Sequence, residues 1–153
     1  MSSAVHEKVL YVDASGMILG RLASIVAKKL LLGYRVYVVN IEKAVLSGDK
    51  QRVINGYKLL FKVKTHLNPE KSGIRRPRSP VNIFKRAVRG MLPVDKPHGR
   101  EALKRLRVFV GVPKELQNKN FVTFPEAAYT RLSGDFITVE ELARAMGWRG
   151  CVK

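Results

Sequence analysis

Residues 8–41 read KVLYVDASGMILGRLASIVAKKLLLGYRVYVVNI, and a change of period inside this stretch decides the fold class. Val9, Leu10, Tyr11 and Val12 are consecutive apolar or β-favouring residues, which predicts a strand over Lys8–Asp13. A continuous run rather than an alternation suits a central strand covered on both faces. Ala14, Ser15 and Gly16 then break it. Leu19, Leu22, Ala23, Val26, Ala27 and Leu30 follow at the spacing of one helical stripe, and Gly33 stands where a helix stop is expected. Arg35–Ile41 predicts a second strand, resuming over Ala44–Leu46. Strand, helix and strand with short joins imply a right-handed βαβ unit and a parallel sheet. The class read from the sequence is therefore α/β, in a single domain spanning residues 1–153.

Downstream, Lys50–Val63 has helical spacing, with Val53, Ile54, Tyr57, Leu60 and Phe61 on one face. The composition then shifts. Residues 62–107 hold fourteen Lys and Arg against Glu70, Asp95 and Glu101, so most of the chain's net charge of +17 lies in under a third of its length. Within this segment Thr65–Pro80 contains Pro69, Gly73, Pro77 and Pro80 and shows no apolar period, which predicts a functional or disordered loop. Two helices are expected after it. Around Ile83–Met91, Phe84, Ala87, Val88 and Met91 face one way and Lys85, Arg86 and Arg89 another. Around Arg100–Arg107, Leu103 and Leu106 oppose Arg100, Lys104 and Arg107. Val108–Val110 predicts the last main strand. In the extension 112–153, Thr138 with Glu141 three residues on forms a capping-box pattern, with Val139, Leu142, Ala143 and Met146 as the apolar face and Gly147 as the stop.

The charge narrows the partner. A surface this basic repels itself and attracts a polyanion, either nucleic acid or an anionic membrane. The longest apolar runs fall far short of the ~20 residues that span a bilayer, and residues 1–12 show no secretory pattern. One cysteine, Cys151, allows no internal disulfide and suits a reducing cytosol. His6, His66 and His98 are scattered and form no metal-ligand spacing, so no metal or other cofactor is expected. No nucleophile motif sits beside a suitable His, and Glu140 and Glu141 are explained by a helix start.

Two turns invite a phosphate-binding reading. Gly16 and Gly20 stand four apart and match neither a dinucleotide fingerprint nor a P-loop; the plainer reading is that Gly16 permits a turn and Gly20 lets the helix approach the sheet. At Ser47-Gly-Asp-Lys50, Ser47 or Asp49 reads as a helix cap and Lys50 as a candidate RNA contact. The basic segment carries more. Its arginines lack acidic partners, and guanidinium suits bidentate phosphate contacts and base stacking. The candidate RNA-binding set is Lys50, Arg75, Arg76, Arg78, Lys85, Arg86, Arg89, Arg100, Lys104, Arg105 and Arg107, spread over a loop and two helix faces as a folded RNA surface would require. A nucleotide-binding or RNA-modifying enzyme is the alternative; a DNA-binding regulator would need a recognition helix and dimer symmetry, neither of which is visible.

Several segments in order resemble a known family. Val12-Asp-Ala, Gly16 and Leu19-Gly-Arg-Leu-Ala-Ser24 look like its opening strand, turn and helix, and Val39-Asn-Ile-Glu-Lys-Ala-Val-Leu-Ser-Gly48 like its second strand and turn. Ala87-Val-Arg-Gly-Met-Leu-Pro93, Gly99-Arg100, Ala102-Leu-Lys-Arg-Leu106 and Val108–Gly111 resemble its most characteristic stretch. The family is the universal large-subunit ribosomal protein thirteen, and the tail after Gly111 looks more like its archaeal members. The resemblance implies a three-layer α/β/α domain with a four-stranded, mainly parallel sheet. It also implies binding to large-subunit ribosomal RNA beside neighbouring ribosomal proteins, a role in subunit assembly in the cytoplasm, and no enzymatic activity. Arg89, Gly90, Arg100, Lys104 and Arg105 fall in the matched stretch.

Overall fold

A computed structural model describes residues 8–73 and 75–150. Cys151 and His6 lie outside the described residues. Strand β1 (Val9–Asp13) runs into helix α1 (Leu19–Leu31) and strand β2 (Arg35–Val39). The six residues of the α1 stripe, Leu19, Leu22, Ala23, Val26, Ala27 and Leu30, are its buried residues. The turn before α1 needs Gly16, whose φ is +65° and whose missing Cβ would stand 3.2 Å from the Tyr129 ring. Gly20 is different. Open space surrounds it, so the expectation that it lets α1 approach the sheet does not hold.

β1 pairs with β2, and β2 with β4 (Leu106–Val108), all parallel. The middle strand is β2, and β1, with Val9 exposed at 41%, stands beside it; the continuous apolar run there does not mark the central strand. The α/β class stands, but the four-stranded sheet is corrected to three strands and one bridge. Val122 alone takes the fourth position, donating to the Tyr11 carbonyl (2.9 Å) and accepting from the Asp13 N–H (3.2 Å). Pro125, three residues on, has no N–H to extend that pairing and opens a 3₁₀ turn. β2 stops at Val39 rather than Ile41 because Asn40 adopts φ 55° and a 3₁₀ turn follows. Asn tolerates that left-handed region.

Both parallel crossovers move the same way across the sheet, so right-handedness places α1, α4 (Pro80–Met91) and α5 (Pro97–Lys104) on one face. The chain returns from β4 to Val122 across the other face. There Tyr37 stacks on Tyr11 at 5.3 Å and Phe121 meets Tyr11 edge-on at 6.4 Å. The only regular element along that return is a 3₁₀ turn, Lys114–Leu116, so the second helical layer expected from the resemblance is not formed there.

The stretch expected to resume the second strand is instead β3 (Val45–Ser47), antiparallel to β5 (Phe136–Thr138). β5 leads directly into α6 (Val139–Ala145), capped as expected by the Thr138 hydroxyl accepting from the Glu141 N–H (3.3 Å). Ile137, Val139, Leu142, Ala143 and Met146 join the same core cluster as the α1 stripe, which is where the C-terminal tail packs. Helix α2 (Lys50–Lys62) is capped by Asp49, not Ser47. The loop 65–80 includes one helical turn, α3 (Pro69–Ser72), with no buried residue.

Candidate nucleic-acid interface

Helix α4 begins at Ser79, whose hydroxyl accepts from the Asn82 N–H (3.3 Å), with Pro80 in the first turn where its missing N–H costs nothing. Ile83, Phe84 and Val88 are buried against α1 and the core. Three residues of this amphipathic helix therefore have to face outward: Lys85, Arg86 and Arg89. Met91, expected on the apolar face, is 45% exposed because the helix ends there.

The chain then turns tightly through residues 92–96, and α5 starts with Pro97. Gly99 lies in that first turn, where an added Cβ would collide with the Pro93 carbonyl; the close backbone approach needs glycine. Arg100 and Lys104 stand one turn apart on the exposed side of α5, opposite buried Gly99 and Ala102. The helix was expected to run on through Arg107, but it ends at Lys104. The Arg105 carbonyl accepts from the Val36 N–H (3.2 Å), which draws the chain into β4. Arg107 thus comes from a strand, between buried Leu106 and Val108. Its apparent helical spacing with Arg100 is coincidental.

α4, the turn, α5, β4 and the basic loop enclose a cleft of about 770 Å³. Eight of the eleven candidates line it: Arg75, Arg76, Lys85, Arg86, Arg89, Arg100, Lys104 and Arg107. The loop is tied to its rim by Arg86, whose Nη1 donates to the Arg75 carbonyl (3.3 Å). Arg76 is half-buried, and its Nε has no partner. Among the described residues the ion pairs formed are Lys50–Glu141 (3.4 Å) and Arg144–Glu140 (2.6 Å), both away from the cleft. So many unneutralised cations around one concavity repel one another, and a polyanion relieves that repulsion.

The other three candidates lie elsewhere. Lys50 sits at the start of α2, paired with Glu141. Arg78 donates to the Met146 carbonyl (3.0 Å) and lies 4.6 Å from the centre of the Phe61 ring. It joins α2 to the end of α6. Arg105 Nη2 donates to the Leu30 carbonyl (2.8 Å) in the last turn of α1, which also accepts from the Gly33 N–H (3.1 Å). Charge counting cannot tell such inward-turned arginines from outward ones.

Reading the sequence also missed part of the lining. Pro77, Val94, Leu103 and Leu106 give the cleft an apolar floor, and Asp95 is the one acid among its lining residues. The only signal for Asp95 was its isolation in a basic segment, between Pro93 and Pro97. Of the described residues, no group of His, Cys, Asp and Glu could hold a metal ion, and no helix is long and apolar enough to cross a membrane.

Comparison with known proteins bears on this surface. The family described as Ribosomal protein L13 matches residues 7–115, which take in the whole cleft. The large ribosomal subunit protein uL13 of Saccharolobus solfataricus is 51% identical over 150 residues, covering 98% of this chain and 100% of the relative. That of Aeropyrum pernix is 54% identical, covering 94% of this chain and 93% of its own. That of Archaeoglobus fulgidus is 48% identical, covering 91% and 88%. The match to these archaeal relatives runs through the tail, where the family match stops.

Proposed function

The chain belongs to the ribosomal protein L13 family, and from that premise we propose that it is a structural constituent of the large ribosomal subunit whose basic cleft holds ribosomal RNA. Its place is the ribosome in the cytoplasm, in contact with large-subunit RNA and ribosomal proteins, and it is not an enzyme. The single observation that carries the RNA surface is the cleft: eight basic side chains around one concavity with no ion pair among them.

The chain works as one domain. Residues 62–107 supply the RNA-binding part, and residues 112–153 form an extension whose Ile137, Val139 and Leu142 complete the shared core. Arg75, Arg76, Lys85, Arg86, Arg89, Arg100, Lys104 and Arg107 take phosphates or stack on bases. Guanidinium groups do both, and lysine neutralises as a point charge. Arg78, Arg105 and Lys50 act differently from the other eight: they brace the elements that present the cleft. The partner is RNA and not a membrane or a small-molecule substrate.

The test is a salt titration against a large-subunit RNA fragment. Each phosphate neutralised contributes roughly 0.7–0.9 to the slope of log K against log salt, so the wild type should show a slope of several. The triple variant Arg89→Ala, Arg100→Ala, Lys104→Ala should lose up to about one unit per residue. Its circular dichroism should match the wild type, because the buried faces of α4 and α5 are untouched. A variant with wild-type affinity and slope would move the RNA surface off this cleft.

A further inference from the structure

A flat basic face suffices to bind a phosphate backbone, and this cleft has two features that such binding does not explain. One is its apolar floor. Val94 and Leu103 are only partly buried and pack against the core behind them, while Leu106 is fully sequestered. They are fixed walls, at the bottom of a space whose size falls within the ~300–1,000 Å³ typical of sites for small organic groups. The other is Asp95. A carboxylate among phosphate-binding groups repels the phosphates, so on a purely electrostatic surface it weakens binding.

The simplest account of Asp95 is that it neutralises a neighbouring arginine. The geometry is against it. Arg100 Nη2 reaches the main-chain carbonyl of Asp95 (3.1 Å) and forms no ion pair with the carboxylate. None of the ion pairs formed among the described residues involves Asp95. Asp95 lines the cleft beside that apolar floor at a solvent-exposed position, so its carboxylate, free of any ion pair among the described residues, is an acceptor open to a neutral donor. Bases that carry an exocyclic amine offer one, and the ring itself suits the floor and the guanidinium planes.

We propose that the cleft takes an unpaired RNA base carrying an exocyclic amine, which donates to Asp95 while Val94 and Leu103 pack on the ring and Arg86, Arg89 and Arg107 hold the flanking phosphates. This rests on the RNA-binding reading above and adds base selectivity to it. Uracil is the poor occupant: at its Watson–Crick edge two carbonyl oxygens face the carboxylate on either side of one N–H. Cytosine presents an amine at the corresponding position.

The experiment measures binding of the full chain to fluorescein-labelled r(C)6 and r(U)6 by anisotropy at one fixed, neutral pH and salt concentration. The wild type should prefer r(C)6 roughly three- to tenfold, the scale of one ordinary net hydrogen bond, since Asp95 is exposed to solvent. Asp95→Ala, at an exposed turn position whose main-chain bond to Arg100 is kept, should bring the ratio near one and tighten r(U)6. Equal binding of the two hexamers by the wild type, or a preference that survives Asp95→Ala, overturns the assignment. Free CMP as competitor separates the sources: displacement at the hexamer's own affinity would mean a free-nucleotide site and also overturns it. Wild type that binds the large-subunit RNA fragment but no hexamer sinks this inference alone; failure to bind either sinks the RNA reading as well.

Discussion

In the opening turn Asp13 Oδ1 accepts from the Ser15 N–H (3.0 Å), the Ser15 hydroxyl (2.8 Å) and the Asn40 side-chain amide (3.0 Å). In the cleft Asp95 takes part in no ion pair formed among the described residues and stands among eight cations. The contrast extends to the regions around them. The two acids within residues 9–48 accept from groups of the chain itself: Glu42, like Asp13, is satisfied internally, accepting from the Gly111 N–H through both carboxylate oxygens (3.2 and 3.1 Å). In residues 62–107 Arg78 and Arg105 turn inward, while the eight cleft cations stand free of ion pairs among the described residues, on elements whose other faces belong to the same core. Polar groups satisfied within the chain serve its stability; those left unsatisfied on a rigid support are what a partner can use.

The largest expected effect tests whether the cleft depends on that support. Phe84 is fully buried on α4, on the side opposite Lys85, Arg86 and Arg89. Phe84→Ala should cost about 3–5 kcal/mol, the usual range for a buried aromatic. For a basic domain that already repels itself, this should unfold much of the population. The melting temperature should drop sharply, and RNA affinity should fall at every salt concentration, without the change of slope that loss of a phosphate contact brings. Unchanged melting would mean that the basic segment is not seated on the core at all.

A smaller effect separates two arginines only two residues apart. Arg105 is held by the Leu30 carbonyl at the end of α1, whereas Arg107, exposed on β4, lines the cleft. Arg105→Ala removes a charge-assisted bond at a half-buried site and should cost about 1–2 kcal/mol, visible in chemical denaturation. Arg107→Ala should leave denaturation unaltered and lower the salt slope by up to about one unit. Reversed outcomes would break the division between inward-turned and outward-facing cations.

The same division explains what the sequence revealed and what it hid. The α1 stripe was legible residue for residue because burial of one helical face dictates the spacing. So was the Thr138 cap, which is local chemistry. The parallel sheet followed from the β1–α1–β2 order. The antiparallel partner β5 was not legible. Phe136, Ile137 and Thr138 are too few for a period, and only the distant β3 makes them a strand. The end of α5 was misread for a related reason: Arg100, Lys104 and Arg107 keep helical spacing across a helix-to-strand junction set by the Val36–Arg105 pairing. In the site, composition located eight cleft cations but could not show that Arg78 and Arg105 turn inward, since their partners lie 68 and 75 residues away in the chain. Asp95 was visible only as a charge deficit. A charge count records sign, and the use of an acid depends on what faces it.

The smallest expected effect returns to Asp13. Burial raises the pKa of its carboxyl, but the Ser15 N–H, the Asn40 amide, the Ser15 hydroxyl and the nearby Lys43 charge together outweigh it, so the group lies below its ordinary 3.8. A folded pKa below the unfolded one means that the unfolded chain binds the proton more readily. Its contribution to stability is therefore fully present above the unfolded pKa and is lost as pH falls through the folded value. The window lies below roughly pH 4, the unfolded Asp range. Asp13→Asn keeps the shape and one acceptor oxygen but removes the charge, so stability measured by denaturant midpoint should fall slightly at neutral pH. Below pH 4 the variant and wild type should converge. Because Asp13 is only half-buried, solvent screens part of the effect and the difference stays small. RNA affinity at neutral pH should not change, since Asp13 lies among residues that satisfy one another, and that is the sharpest contrast with Asp95. A loss of r(C)6 preference on Asp13→Asn would mean that the two acids are coupled through the sheet, and the separation between an inward-turned and an outward-facing region would have to be abandoned.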